Sequence, residues 1–83
     1  MLPAASLVRS LAGKDKGQLL GVVRVDEEGV WLADGKHRPL ERPKRKNPRH
    51  VKPLGRQLDG TAMTTNRALR RALRDADRTQ DDV

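Results

Sequence analysis

V-R-S-L-A-G-K-D-K-G-Q-L-L-G-V-V-R-V, residues 8–25, reads as strand, tight basic turn, strand. Two apolar runs, Leu7 to Ala12 and Leu19 to Val25, flank a turn with Gly13 and Gly17 at its ends and Lys14, Asp15 and Lys16 between them. Glycine takes positive φ without steric cost, so such a turn reverses tightly and brings its backbone close to another molecule. The hairpin tip therefore presents two lysines and several amides.

Working outward, residues 1–6 read as a short lead into the first strand, with Pro3 at a position an edge strand tolerates. The second strand spans about Gln18 to Asp26, and Gly21 inside it marks a bulge or a sharp bend of the kind that curls a small sheet into a barrel. Asp26-Glu27-Glu28-Gly29 is a solvated acidic turn whose spacing does not match a calcium loop. Val30 to Ala33 forms a third strand, and Asp34-Gly35 is a hairpin signal that reverses the chain into Lys36 to Leu40. Trp31 is the only aromatic residue of the chain. A core otherwise made of Val, Leu and Ala needs one large side chain, so Trp31 is expected inside, with base stacking as the alternative.

Composition bounds the rest. With 83 residues and no Phe or Tyr, the chain forms one small domain of modest stability with little room for a large active-site cleft. The absence of cysteine removes disulfides, thiolate metal sites and a cysteine nucleophile. The start, M-L-P-A-A-S, has no basic and apolar leader pattern, and no run approaches the roughly 20 apolar residues that span a bilayer, so a cytoplasmic, membrane-free protein is expected. Eighteen Lys and Arg oppose 11 Asp and Glu, for a net charge of +7. The segment Gly35 to Arg56 holds nine basic residues against the single acid Glu41, a net +8, so the remainder sums to −1. Charge concentrated in this way is the footprint of a polyanion binder.

Within that segment, E-R-P-K-R-K-N-P-R-H-V-K-P, residues 41–53, carries three prolines that deny it regular pairing over much of its length. It is expected as an extended exposed loop, then a short last strand near His50 and Val51. Extended cationic chain matches the phosphate repeat of a nucleic-acid backbone. Leu54 to Thr64, with two glycines, reads as a linker, and Thr64 or Thr65 as the cap of a helix ending near Asp77. Leu69, Ala72, Leu73 and Ala76 form its apolar stripe, while Arg67, Arg71, Arg74 and Arg78 recur on the opposite side. One face can dock and the other can meet phosphate.

The pattern V-x-S-x-A-G-x-D-K-G followed by a β-branched run resembles the KOW motif, an RNA- and ribosome-binding hairpin. A-D-G-K-H-R-P-L-E-R-P-K-R-K-N-P-R-H-V from Ala33 to Val51 and T-N-R-A-L-R-R-A-L from Thr65 to Leu73 are similar to the second and third blocks of a small bacterial family of KOW-domain RNA-binding proteins. That family resembles the KOW-containing large-subunit ribosomal proteins. Two positions depart from it: Leu11 stands where lysine is common, and Gly21 replaces a β-branched residue.

The resemblance implies a mainly β fold, a small SH3-like barrel of KOW type with four to five short strands, a basic extended loop and a short C-terminal α-helix. The expected organisation is a barrel over 1–53 that includes the basic loop 36–52, a linker over 54–64, a helix over 65–78 and a frayed tail over 79–83. The expected function is binding of structured RNA, most concretely large-subunit ribosomal RNA, by a monomer that also touches neighbouring ribosomal proteins. Expected RNA contacts are Arg9, Lys14, Lys16, Lys36, Arg38, Arg42, Lys44, Arg45, Lys46, Arg49, His50 and Lys52, with Gly13 and Gly17 shaping the turn. His50 enters that set through the family's basic block. No cofactor, metal site or catalytic constellation is expected. A protein-binding adaptor is the second reading, and its mark would be an exposed apolar patch, for which only Leu54, Leu58 and Met63 are candidates.

Overall fold

A computed structural model describes residues 3–80 as a mainly β domain. Five strands, β1 (Ser6–Ser10), β2 (Leu19–Asp26), β3 (Gly29–Ala33), β4 (Lys44–Lys46) and β5 (Val51–Gln57), precede one helix, α1 (Asn66–Gln80). Single turns of 3-10 helix at Pro48–His50 and Gly60–Met63 follow β4 and β5. The strands form one antiparallel sheet in the order β4-β3-β2-β1-β5. No helix among the described residues is long and apolar enough to cross a membrane.

Strand periodicity sorts the apolar residues into two clusters. Leu7, Leu19 and Ala33 face α1 and meet Leu69, Leu73 and Ala76 from its apolar stripe. Their sequence neighbours Val8, Leu20 and Leu32 join Val22, Val30 and Val51 on the other face. Sheet curl closes over this second cluster. The Lys46 ammonium on edge strand β4 reaches the Ser10 hydroxyl on β1 at 2.7 Å, although β3 and β2 lie between in the sheet order. In a flat sheet those strands would stand about 14 Å apart, three strand spacings and beyond a lysine's reach.

Bulges produce the curl. Between Val22 and Arg24, β2 advances two residues while β3 advances one, which places the extra residue at Val23, two positions past the expected glycine. Gly21 serves a different purpose. A Cβ there would sit 3.2 to 3.3 Å from Leu58, Leu69 and Met63, so the glycine lets α1 and the preceding turn approach the sheet closely.

Several expectations are corrected. Residues 36–40, expected to return as a strand, form an irregular loop, and the fourth strand is instead β4, inside the segment expected to be unpaired. Pro43 and Pro48 bracket it without entering it, and as an edge strand it needs pairing on one side only. The expected linker begins as strand, because β5 runs to Gln57 with Pro53 on the sheet edge and Gly55 at φ 72 inside a second bulge against β1. Leu54, Leu58 and Met63 pack on the cluster under α1, so they form no exposed patch; Leu11, 45% exposed, is the exposed large hydrophobic. Trp31 lies outside both clusters, half-buried on the sheet surface. Its indole Nε1 donates to Asp26 at 2.8 Å, and the Arg24 guanidinium sits 4.4 Å from the ring centroid. Leu, Val and Ala fill the interior without it.

The helix begins where its cap predicts. The Thr65 hydroxyl accepts the Ala68 amide at 3.1 Å, and Leu69 N donates to Thr65 O at 3.0 Å. α1 continues two residues past the expected end to Gln80, and residues 81–83 of the expected tail lie outside the described residues.

Candidate nucleic-acid interface

The hairpin tip is built by its two glycines. Gly13 and Gly17 have φ of 86 and 90, and Gly17 N donates to Ser10 O at 2.8 Å to close the turn. Lys14 and Lys16 are exposed, whereas Asp15 between them turns inward. There it accepts a charge-assisted bond from Lys46 and a 2.8 Å bond from the Ser10 hydroxyl. Lys46 also donates to the Ala12 carbonyl at 2.9 Å. Burial raises the Asp15 pKa, yet the hydrogen bonds from Lys46 and Ser10 and the charges of Lys46 and Lys44 outweigh it and hold the carboxyl below its ordinary value. This buried cluster ties the tip to the opposite edge strand.

Lys46 is therefore corrected as a contact residue: its side chain is 8% exposed and every hydrogen it can donate is used inside the fold. Strand geometry is the cause. In an extended K-R-K run alternate side chains leave opposite faces, so Lys44 and Lys46 project inward over the second cluster while Arg45 projects outward. Arg45 donates to the Glu28 carbonyl at 3.0 Å and stands opposite Trp31 in the strand register. Arg9 is also engaged: it donates to Gly17 O at 2.6 Å and lies 3.8 Å from the Asp77 carboxylate of α1. Arg45 is nonetheless exposed and Arg9 half-buried, so each serves the framework while keeping part of its side chain at the surface.

Of the remaining expected contacts all but the half-buried Lys44 are exposed; Lys16 lies on the tip and Lys36 on the loop 34–38, and the others fall in two groups. Arg49, His50 and Lys52 lie on the 3-10 turn after β4 and at the start of β5, and Arg42 lies on the loop before β4. Lys14, Arg38 and the half-buried Lys44, together with His37, line one open cleft between the tip and the loop 34–38. That loop is shaped by Asp34, whose carboxylate accepts the Lys36 and Arg38 amides, each at 2.8 Å. A larger groove continues from it, sharing Gln18, Asp34 and His37, and runs along α1 past Lys36, Arg67, Arg70, Arg71 and Arg74.

Two contacts fix α1 as a wall of this groove. Gly35, at φ 81, lies so near the first helical turn that a Cβ would fall 2.3 Å from Asn66 O and 3.1 Å from Arg70 Cγ. Asn66 accepts the Leu40 amide at 2.7 Å and donates to Glu41 at 2.7 Å. The helix arginines were legible as a stripe. Their meeting with the tip was not, since it depends on where α1 docks.

Asp26 closes the acidic turn by accepting the amides of Glu28 at 2.9 Å and Gly29 at 3.2 Å. Among the described residues no group of three or more His, Asp or Glu has the spacing to hold a metal ion. Neither a protein-family model nor a curated protein matches the chain.

Proposed function

We propose that this chain is an RNA-binding protein of KOW type on an SH3-like barrel, associated with the ribosome through folded large-subunit RNA. The resemblance of residues 8–25, 33–51 and 65–73 to the KOW family supports it. So does the strand order β4-β3-β2-β1-β5, in which a single 3-10 turn carries the chain from one sheet edge to the other, together with the curl that brings β4 to β1. The observation that carries the reading is the convergence of Lys14 from the tip and Arg38 and Lys44 from the basic segment on one open cleft. Lys14 is 24 positions or more from the other two in sequence, and the three cations outnumber the carboxylates of Asp15 and Asp34 that share the cleft.

The mechanism is phosphate neutralisation with release of condensed counterions, which makes affinity fall steeply with salt. The amides near Gly13 and Gly17 approach the backbone, while arginines contact both phosphates and exposed bases. Among the described residues one large hydrophobic, Leu11, is exposed, which offers little to a protein partner and weighs against the adaptor reading.

Sedimentation of native lysate through sucrose tests the proposal, with the protein and ribosomal RNA followed in the same fractions. Co-migration with the large subunit at low salt and release at high salt is expected. Migration at the top of the gradient at both salts would refute ribosome association.

A further inference from the structure

Apart from Lys36, the groove along α1 draws its cations from outside the basic loop, yet it is the more strongly charged of the two clefts. Five fixed cations line it, Lys36, Arg67, Arg70, Arg71 and Arg74, against the two carboxylates Asp34 and Asp77, a net +3. Both carboxylates are already engaged, Asp34 by the amides of its own loop and Asp77 by Arg9. The four arginines are exposed, and no ion pair involves them among the described residues.

This arrangement is unfavourable for an isolated helix. Arg67 and Arg71, and Arg70 and Arg74, are like-charge pairs at i,i+4, and the first turn holds no acid to complement the helix dipole. A bound anion along this face would relieve both penalties.

The dimensions select the kind of anion. Arg67 to Asp77 spans ten residues, about 15 Å of helix at 1.5 Å per residue. Lys36 comes from the loop 34–38 and the arginines from α1, so this groove of about 820 Å³ carries cations from two elements. A row of cations of that length suits consecutive phosphates of one phosphodiester backbone rather than a single small anion. A flexible single strand can follow a seam cationic on both sides, whereas a duplex holds its backbone to a fixed helical path. With His37 the only ring in the lining, the groove has little on which bases can stack.

Resting on the RNA-binding reading above, we infer that the seam between α1 and the hairpin seats a single RNA strand by its phosphates, without sequence preference. Folded RNA would thus meet the tip while an adjoining unpaired strand lies along α1.

The test is fluorescence-anisotropy titration of the full chain with a 12-nucleotide oligouridine and with a 12-base-pair RNA duplex across a salt series. The variants are R67Q/R70Q/R74Q and K14Q/K16Q/K44Q. Glutamine retains good helix propensity, and an unchanged urea midpoint verifies folding. For the single strand, losing three phosphate contacts lowers the log–log salt slope by about 2 and affinity by about 100-fold at 0.1 M salt. The duplex is expected to bind the wild type more weakly than the strand and to be little affected by the helix variant. Wild-type affinity in the helix variant, alongside weakened binding in the tip variant, would overturn the inference and leave the RNA-binding reading intact. Equal losses for strand and duplex would overturn the single-strand assignment. Failure of the wild type to bind either RNA would overturn the RNA-binding reading and this inference with it.

Discussion

Replacing Asp15 with Asn removes the negative partner of Lys46 while leaving the shape of the turn nearly unchanged. The two side chains are 15% and 8% exposed, so the ammonium keeps little solvent. Its remaining partners are the Ser10 hydroxyl and the Ala12 carbonyl, both neutral. Breaking a buried ion pair by removing one member costs about 3–5 kcal/mol, and the residual exposure of Asp15 places the loss at the lower end, about 3 kcal/mol. A domain of this size has about 4–12 kcal/mol in all, so the change is large, a fall in Tm of about 12–24 °C. Urea denaturation followed by Trp31 fluorescence and by far-ultraviolet circular dichroism measures it, with the midpoint lowered and the slope unchanged. The double variant D15N/K46M should lose less than the sum of the two single variants by about 1.5 kcal/mol or more. A loss below about 0.5 kcal/mol in D15N, or strict additivity in the double variant, would refute the claim that this pair joins the tip to β4.

Gly35→Ala should detach α1, because its Cβ would overlap Asn66 O; a loss of about 2 kcal/mol or more and reduced helical dichroism are expected. Gly17→Ala, at φ 90 with open space around it, should cost only about 1 kcal/mol in the same denaturation assay. Leu69→Ala removes a fully buried side chain that joins α1 to the sheet, and a loss of about 3 kcal/mol is expected by urea titration. Asp15, Asp26 and Asp59 are held below the usual carboxylate value of 3.8 in the folded state. Their contribution is therefore complete above about pH 4 and lost as pH falls further through their folded pKa values. Thermal unfolding between pH 2 and 6 should show this decline, with a shallower dependence in D15N.

The readable parts of the fold were local. Gly13 and Gly17 mark a turn because positive φ excludes most other residues, and Thr65 with the 69-72-73-76 stripe marks a helix because capping and period lie in neighbouring residues. Pro43, Pro48, Pro53 and Gly55 read as breakers, yet they bracket one edge strand and sit within another. Edge position, which makes a missing amide harmless, is a property of the assembled sheet.

For the candidate site, the chain's own residues settled where the charge lies: net charge in residues 35–56 is a count, and no folding can move it to another segment. Which cations remain available was a tertiary outcome. A one-residue change of β4 register would bury Arg45 and expose Lys46, and curl set by the bulge at Val23 brings Lys46 to Asp15. The same holds for Trp31, excluded from a core that aliphatic side chains fill, and for the arginine groove, which exists because Gly35 lets α1 lie against the loop. Local propensity acts over a few residues, whereas register, curl and docking join groups far apart in the chain, such as Ser10 and Lys46 or Arg9 and Asp77.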